Sequence, residues 1–202
     1  MAASKDSFML DAKSPPPSSS TPQPQYNYKI LFTMLNHMLR ILAILLCAAS
    51  IAIMVTNTQT VTLFTIEFEA HYYYSSTLKF FVAANAVVCG FSLLSLIVGF
   101  FLLRRRRSSS QPTCLCFFFF LFLHDLVMTV LMISGCAAAT AIGYVGQYGE
   151  SHVGWLAICD RVPKFCRTNL VSLFLSFLAF FAYLALTILM AYKLMSSPPK
   201  NF

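Results

Sequence analysis

Charge is scarce in this chain. Of its 202 residues only 10% are Asp, Glu, Lys or Arg, and 58% are hydrophobic. That balance excludes an ordinary soluble domain, and continuous apolar runs of spanning length mark a membrane protein instead. Negative charge is the rarest kind, seven Asp and Glu against fourteen Lys and Arg, for a net +7. Position decides what the basicity means. Arg104, Arg105, Arg106 and Arg107 form one block directly after an apolar run. Such a block faces the cytoplasm beside anionic lipid headgroups, and no folded reading module accompanies it, so no nucleic-acid partner is expected.

Catalytic signatures are missing as well. There is no Walker loop, no Gly-x-Ser-x-Gly, no His-Glu-x-x-His and no dinucleotide fingerprint, so neither an enzyme nor a resident cofactor is expected. No Asn-x-Ser/Thr acceptor occurs, and N-glycosylation is not expected.

What is present is a set of apolar runs at about 30–56, 79–103, 117–143 and 169–192. They predict an all-α integral membrane protein, a four-helix transmembrane bundle filling 29–194. A Ser/Pro-rich stretch over 1–28 reads as a disordered tail, and 195–202 as a second short tail. The run beginning near Ile30 is far longer than a signal h-region and reads as a span. Between the first two spans Val61, Leu63, Thr65 and Glu67 alternate as a short strand would. Gly143, Gly146 and Gly149 are read as helix breakers after the third span. Nine cations (Lys5, Lys13, Lys29, the arginine block, Lys193, Lys200) fall on the tails and middle connection. Four (Lys79, Arg161, Lys164, Arg167) fall on the other two loops, which puts both termini in the cytoplasm.

Two charges interrupt the apolar runs. Arg40 lies ten residues past Ile30, roughly 15 Å at helical rise, and Asp125 eight past Phe117, roughly 12 Å. Both helices enter from the same side, so the charges fall at similar depth and form a structural intramembrane pair. A lone Arg40 snorkelling to headgroups, and an Asp125 that couples ions or protons in a transporter, are the other readings. Helical spacing gives each span one small or polar stripe. These stripes are Arg40, Ala43, Cys47 and Ser50; Asn85, Cys89, Ser92 and Gly99; Asp125, Met128, Met132, Gly135 and Ala139; and Asn169, Ser172, Ser176, Ala179 and Tyr183. Gly135-xxx-Ala139 and Ala139-xxx-Gly143 equally suit an outward dimer face. Asn85 and His124 are the further intramembrane polar groups. His37 and His124 invite a bis-histidine haem reading, disfavoured because His124 abuts the charge network. Cys159 and Cys166 share a polar loop and suit a disulfide; zinc is disfavoured because with His152 the site lacks a fourth ligand. Cys114 and Cys116, beside the arginine block, are candidate palmitoylation sites.

These residues resemble the Casparian strip membrane domain protein family of land plants. The likeness rests on the spans with Arg40 in the first and Asp125 in the third. It rests also on Tyr72-Tyr-Tyr-Ser-Ser-Thr-Leu-Lys-Phe-Phe-Val-Ala-Ala-Asn85, Trp155-Leu-Ala-Ile-Cys159 and Lys164-Phe-Cys166. It covers about Tyr28 to Leu194. The first-loop signature of strip-forming members, an acidic residue with Ser-Leu-Pro and paired Phe, is absent between Asn57 and Lys79, which implies a family-like relative. The resemblance implies a plasma-membrane scaffold that forms homo- or heterodimers and larger assemblies with itself and related four-span proteins, among membrane lipids, with wall-associated clients outside. The competing expectation is a small transporter or channel using Asp125 with Asn85 and His124.

Overall fold

The computed structural model describes residues 23–63, 66–108 and 115–196. Its elements are helix α1 (Gln23–Thr56), strands β1 (Gln59–Leu63) and β2 (Ile66–Ala70), a 3-10 turn at Tyr72–Tyr74, and helices α2 (Ser76–Ser108), α3 (Leu115–Tyr148) and α4 (Pro163–Met195). All four helices contain stretches long and apolar enough to cross a membrane. In lipid a backbone must satisfy its own hydrogen bonds, so uninterrupted apolar sequence becomes helix. The helices hold two prolines, Pro24 of α1 and Pro163 of α4, each at a helix start, where a missing N–H is no loss.

The helices outrun the boundaries expected from hydropathy. The first reaches back to Gln23, into the stretch expected as tail, and α4 starts at Pro163 instead of near Asn169. The third runs through Gly143 and Gly146 to Tyr148. A helical glycine costs only about 1 kcal/mol relative to alanine, less than leaving backbone groups unpaired near lipid. The break comes at Gly149, whose φ is +70°. There a Cβ would stand 2.7 Å from the carbonyl oxygen of Trp155, so only glycine fits.

The helices alternate in direction and follow one another around a ring, with α4 packed most broadly on α1 and α3. Their buried stripes are the ones helical spacing selects: Ala43, Cys47 and Ser50 of α1, Ser92 of α2, Met132 of α3 and Ser172, Ser176, Ala179 and Tyr183 of α4 are essentially without exposure. Large apolar side chains such as Leu31, Met38, Leu45, Phe101 and Phe181 point outward. Polarity is therefore inside and the oily face outside. Gly135 is turned inward onto α2, with a virtual Cβ only 3.1 Å from the Ala84 methyl. Ala139 is buried too, so Gly135 and Ala139 draw two helices of one chain together, while Gly143 at the end of the stripe is exposed with open space about it.

At one end of the bundle sit the start of α1, the end of α2, the start of α3 and the end of α4; at the other sit the hairpin and the 149–162 loop. The strands pair antiparallel with Thr60 opposite Glu69 and Thr62 opposite Glu67. Asn57 and Gln59 tie this loop to the start of α4: Asn57 Nδ2 donates to the Phe165 carbonyl at 2.9 Å, and Phe165 N donates to Gln59 Oε1 at 2.8 Å. Val162 at the N-cap offers no capping side chain, so Gln59 caps α4 from the other loop. The second loop turns back through a bridge between Glu150 and Trp155.

Gly149 and Gly154 make a controlled comparison, since both have positive φ but only Gly149 is crowded. Gly154→Ala should cost about 1–2 kcal/mol, the left-handed penalty alone. Gly149→Ala should lower the thermal midpoint further, and equal midpoints in detergent melts would show that the close approach to Trp155 is unimportant.

Candidate functional site

The centre of the bundle's termini-side half is an ion pair. Arg40 of α1 and Asp125 of α3 lie diagonally across the ring, and Nη2 of Arg40 donates to both carboxylate oxygens at 2.8 and 2.6 Å. Arg40 is 4% exposed and Asp125 not at all. A lone charge at membrane depth costs about 2.5–3.5 kcal/mol on insertion scales, so each side chain is tolerable chiefly because the other is there. Arg40 Nε donates to Asn36 Oδ1 one turn away at 3.3 Å, which orients the guanidinium. On the opposite flank His124 Nδ1 lies 3.1 Å from Asp125 Oδ1. The next turn down, Thr129 donates to the Asp125 carbonyl at 2.7 Å and meets Thr187 of α4 at 3.1 Å. Arg40 Nη1 and His124 Nε2 are buried with no hydrogen-bond partner among the described residues.

A second polar network closes the other diagonal. Ser92 of α2 hydrogen-bonds the Tyr183 hydroxyl of α4. Ser176 donates to Asn85 Oδ1 at 2.9 Å, while Asn85 Nδ2 donates back to Phe81 O within α2. Ser50 of α1 joins both Ser176 and Ser172, at 2.8 and 2.9 Å. Asn85 therefore belongs with the serines and not with Asp125. Along α4, Ser176, which holds Asn85, and Thr187 are eleven residues apart, about 16 Å at helical rise, while between them the Tyr183 carbonyl accepts a hydrogen bond from Thr187 at 2.9 Å and so links the two networks.

The remaining sequence candidates are placed as follows. Cys159 and Cys166 are joined in a disulfide, with Cα atoms 5.7 Å apart. Cys114 lies outside the described residues, as do the tail residues 1–22, and only the backbone of Cys116 is described, in the first turn of α3. His37 faces Gly99 of α2, while His124 is engaged by Asp125. Among the described residues no three His, Cys, Asp or Glu side chains converge on a metal position. Hydropathy missed Lys193. Counted as a tail cation, it stands in the last turn of α4 with Nζ 4.4 Å from the Phe32 ring centre and 4.3 Å from that of Phe118, joining α1, α3 and α4 through cation–π contact. It missed Asn36, Gln59 and Thr187 for a related reason: no single-helix pattern says which neighbour will need them.

Removing one member of a buried pair strands the other charge and costs about 3–5 kcal/mol, whereas apolar replacement of both is often close to neutral. Asp125→Ala should therefore lower the thermal midpoint and the folded yield in detergent sharply. Arg40→Met combined with Asp125→Leu should recover most of that loss. Single variants that melt like the parent would show that the pair does not hold the bundle.

Comparison with known proteins follows the same residues. The model of the Casparian strip membrane protein domain matches residues 30–182, from the start of the first span to deep in the fourth. The "CASP-like protein 1F2" of Ricinus communis is 53% identical over 82% of this chain and 80% of its own length. The "CASP-like protein 1F1" of Vitis vinifera is 47% identical over 81% and 76%. That of Arabidopsis thaliana is 38% identical over 76% and 85%. No solved structure matches the chain. With an Arg–Asp pair crossing four apolar helices and relatives along most of its length, the chain belongs to the Casparian strip membrane protein domain family, a family of membrane proteins.

Proposed function

We propose that this protein is a non-enzymatic scaffold of the plasma membrane, with both termini cytoplasmic, that assembles with itself and with related four-span proteins to organise a membrane patch. One observation carries the reading: the polar side chains inside the bundle are engaged chiefly with one another. Arg40 and Asp125 hold one diagonal, and Ser92 with Tyr183 and Asn85 with Ser176 hold the other. Groups bound to each other at full burial serve packing. The surfaces left for action are the outer helix faces and the hairpin end. A transporter would use Asp125 and Asn85 on one path, and the Ser176 that holds Asn85 stands about 16 Å along α4 from the Thr187 that meets Thr129, one turn from Asp125.

The decisive measurement is photobleaching of a fluorescently tagged copy at near-native level in its own plasma membrane, paired with co-purification of two differently tagged copies. Patches with little recovery, and each tag retaining the other, are the expected outcome. Rapid, complete recovery with no co-purification would sink the scaffold reading, and Asp125-dependent solute flux in liposomes would replace it with transport.

A further inference from the structure

At the hairpin end several large side chains pack little against the rest of the described chain. Trp155 is 56% exposed, Leu156 78% and Ile158 59%, beside Tyr144 and Tyr148 at 63% and 71%. In water such a cluster would be an exposed apolar patch, which usually signals an interaction surface. Its height along the bundle says what covers it. The backbone N–H groups of Ile158 and Cys159 both donate to the Gly146 carbonyl, at 2.9 and 3.0 Å. Glu150 and Trp155 exchange backbone hydrogen bonds in both directions, at 2.8 and 2.9 Å. The loop thus folds back beside the last turns of α3 instead of climbing away from it, and Ile158 stands level with Gly146. The disulfide then ties the loop's far end to the first turn of α4.

That level coincides with the membrane surface. Lys193 over the Phe118 ring marks the headgroup level at the opposite end, so the core begins about one turn later, near Phe122, and about 20 helical residues across about 30 Å bring α3 to the neighbourhood of Ile142. The headgroup region adds roughly 5–7 Å per face, and Gly146, four residues on, stands about 6 Å past Ile142. Tyr144 and the loop's return at Ile158 therefore stand at the headgroup level, with Tyr148 and Trp155 at its outer edge. A second part of the rim agrees. Tyr72, in the turn before α2, packs like Ile142 against the core cluster that includes Cys136 and Ala139, while its neighbours Tyr73 and Tyr74 are 44% and 68% exposed. Rings with an apolar body and a polar tip are favoured at this boundary, where both halves are satisfied. Exposed Arg161 and Lys164 lie on the same loop and the α4 start, suitably placed for lipid phosphates.

We infer that the 149–162 loop is an interfacial membrane anchor, with Trp155, Leu156 and Ile158 seated among the lipid headgroups of the surrounding bilayer. Its partner is lipid. The inference does not depend on which face of the membrane the loop occupies, nor on the scaffold reading.

Trp155 is the only tryptophan in the sequence, so the fluorescence of the unaltered full-length chain reports this position alone. In phosphatidylcholine vesicles at high lipid excess, its emission should lie to the blue of tryptophan in water. About half of it should be lost to a spin label carried at headgroup level, with less loss to a label deep in the acyl chains, as expected for an interfacial ring. Aqueous iodide should quench it weakly. Placing the single tryptophan on the hairpin instead, as Thr60→Trp in a Trp155→Phe background, should restore a water-like spectrum and strong iodide quenching. Water-like emission from Trp155 with no quenching by either lipid label would overturn the inference. So would a blue-shifted emission that disappears as the protein is diluted in lipid, since a second copy would then be the cover.

Discussion

Everything in this bundle is arranged around the fact that Arg40 and Asp125 must meet away from water. Lipid tails are as apolar as the helix surfaces, so hydrophobic burial gives the helices little reason to choose one another. A charge pair does. It sets the rotation of α1 and α3 about their own axes, because any other angle would turn an ion into hydrocarbon. Once those two helices are fixed, the serine, asparagine and tyrosine contacts between α2 and α4 can close the other diagonal. Two crossed diagonals at different heights leave four helices with no independent freedom to rotate.

The interior is polar at its seams and filled by small side chains, while bulk lies outside. Gly135 against Ala84 illustrates the packing side of that design: a Cβ here would meet the Ala84 methyl at 3.1 Å, so a larger residue would have to push α2 outward by a few tenths of an ångström. Lys193 between Phe32 and Phe118 illustrates the electrostatic side at the bundle's termini end. A cation there costs little, since two ring faces and nearby headgroups share it. A chain so constituted has little interior left for chemistry, which turns attention to its rim and its outer faces.

Much of this was legible in the sequence. The four spans followed from hydropathy, and the buried stripes from helical spacing, because lipid leaves each helix only one face on which polarity is tolerable. Equal depth of Arg40 and Asp125 followed from counting residues, since helical rise is nearly invariant. Helix ends were less legible. Gly143 and Gly146 looked like breakers and were not, because near lipid the backbone keeps its hydrogen bonds even where the residue is a poor helix former. Asn85 was grouped with Asp125 on polarity alone, and its partner proved to be Ser176, a pairing that depends on the register between α2 and α4. The same holds for Gln59, whose role at the start of α4 is invisible without knowing that residues more than a hundred positions apart are neighbours.

That last contact bears on how the protein is made. Ser50, Asn57 and Gln59 belong to the first span and its loop, yet each finds its partners on α4, the last helix to leave the ribosome. Until then the seam of α1 faces lipid or a membrane chaperone with hydroxyl and amide groups unmet. The order of synthesis and the order of contact are thus opposed, and the fold closes like a clasp whose two halves are the first and the fourth of its spans. A product truncated after its third span would keep its ion pair and still display that open seam, a feature by which the cell's quality control can tell an unfinished chain from a finished one.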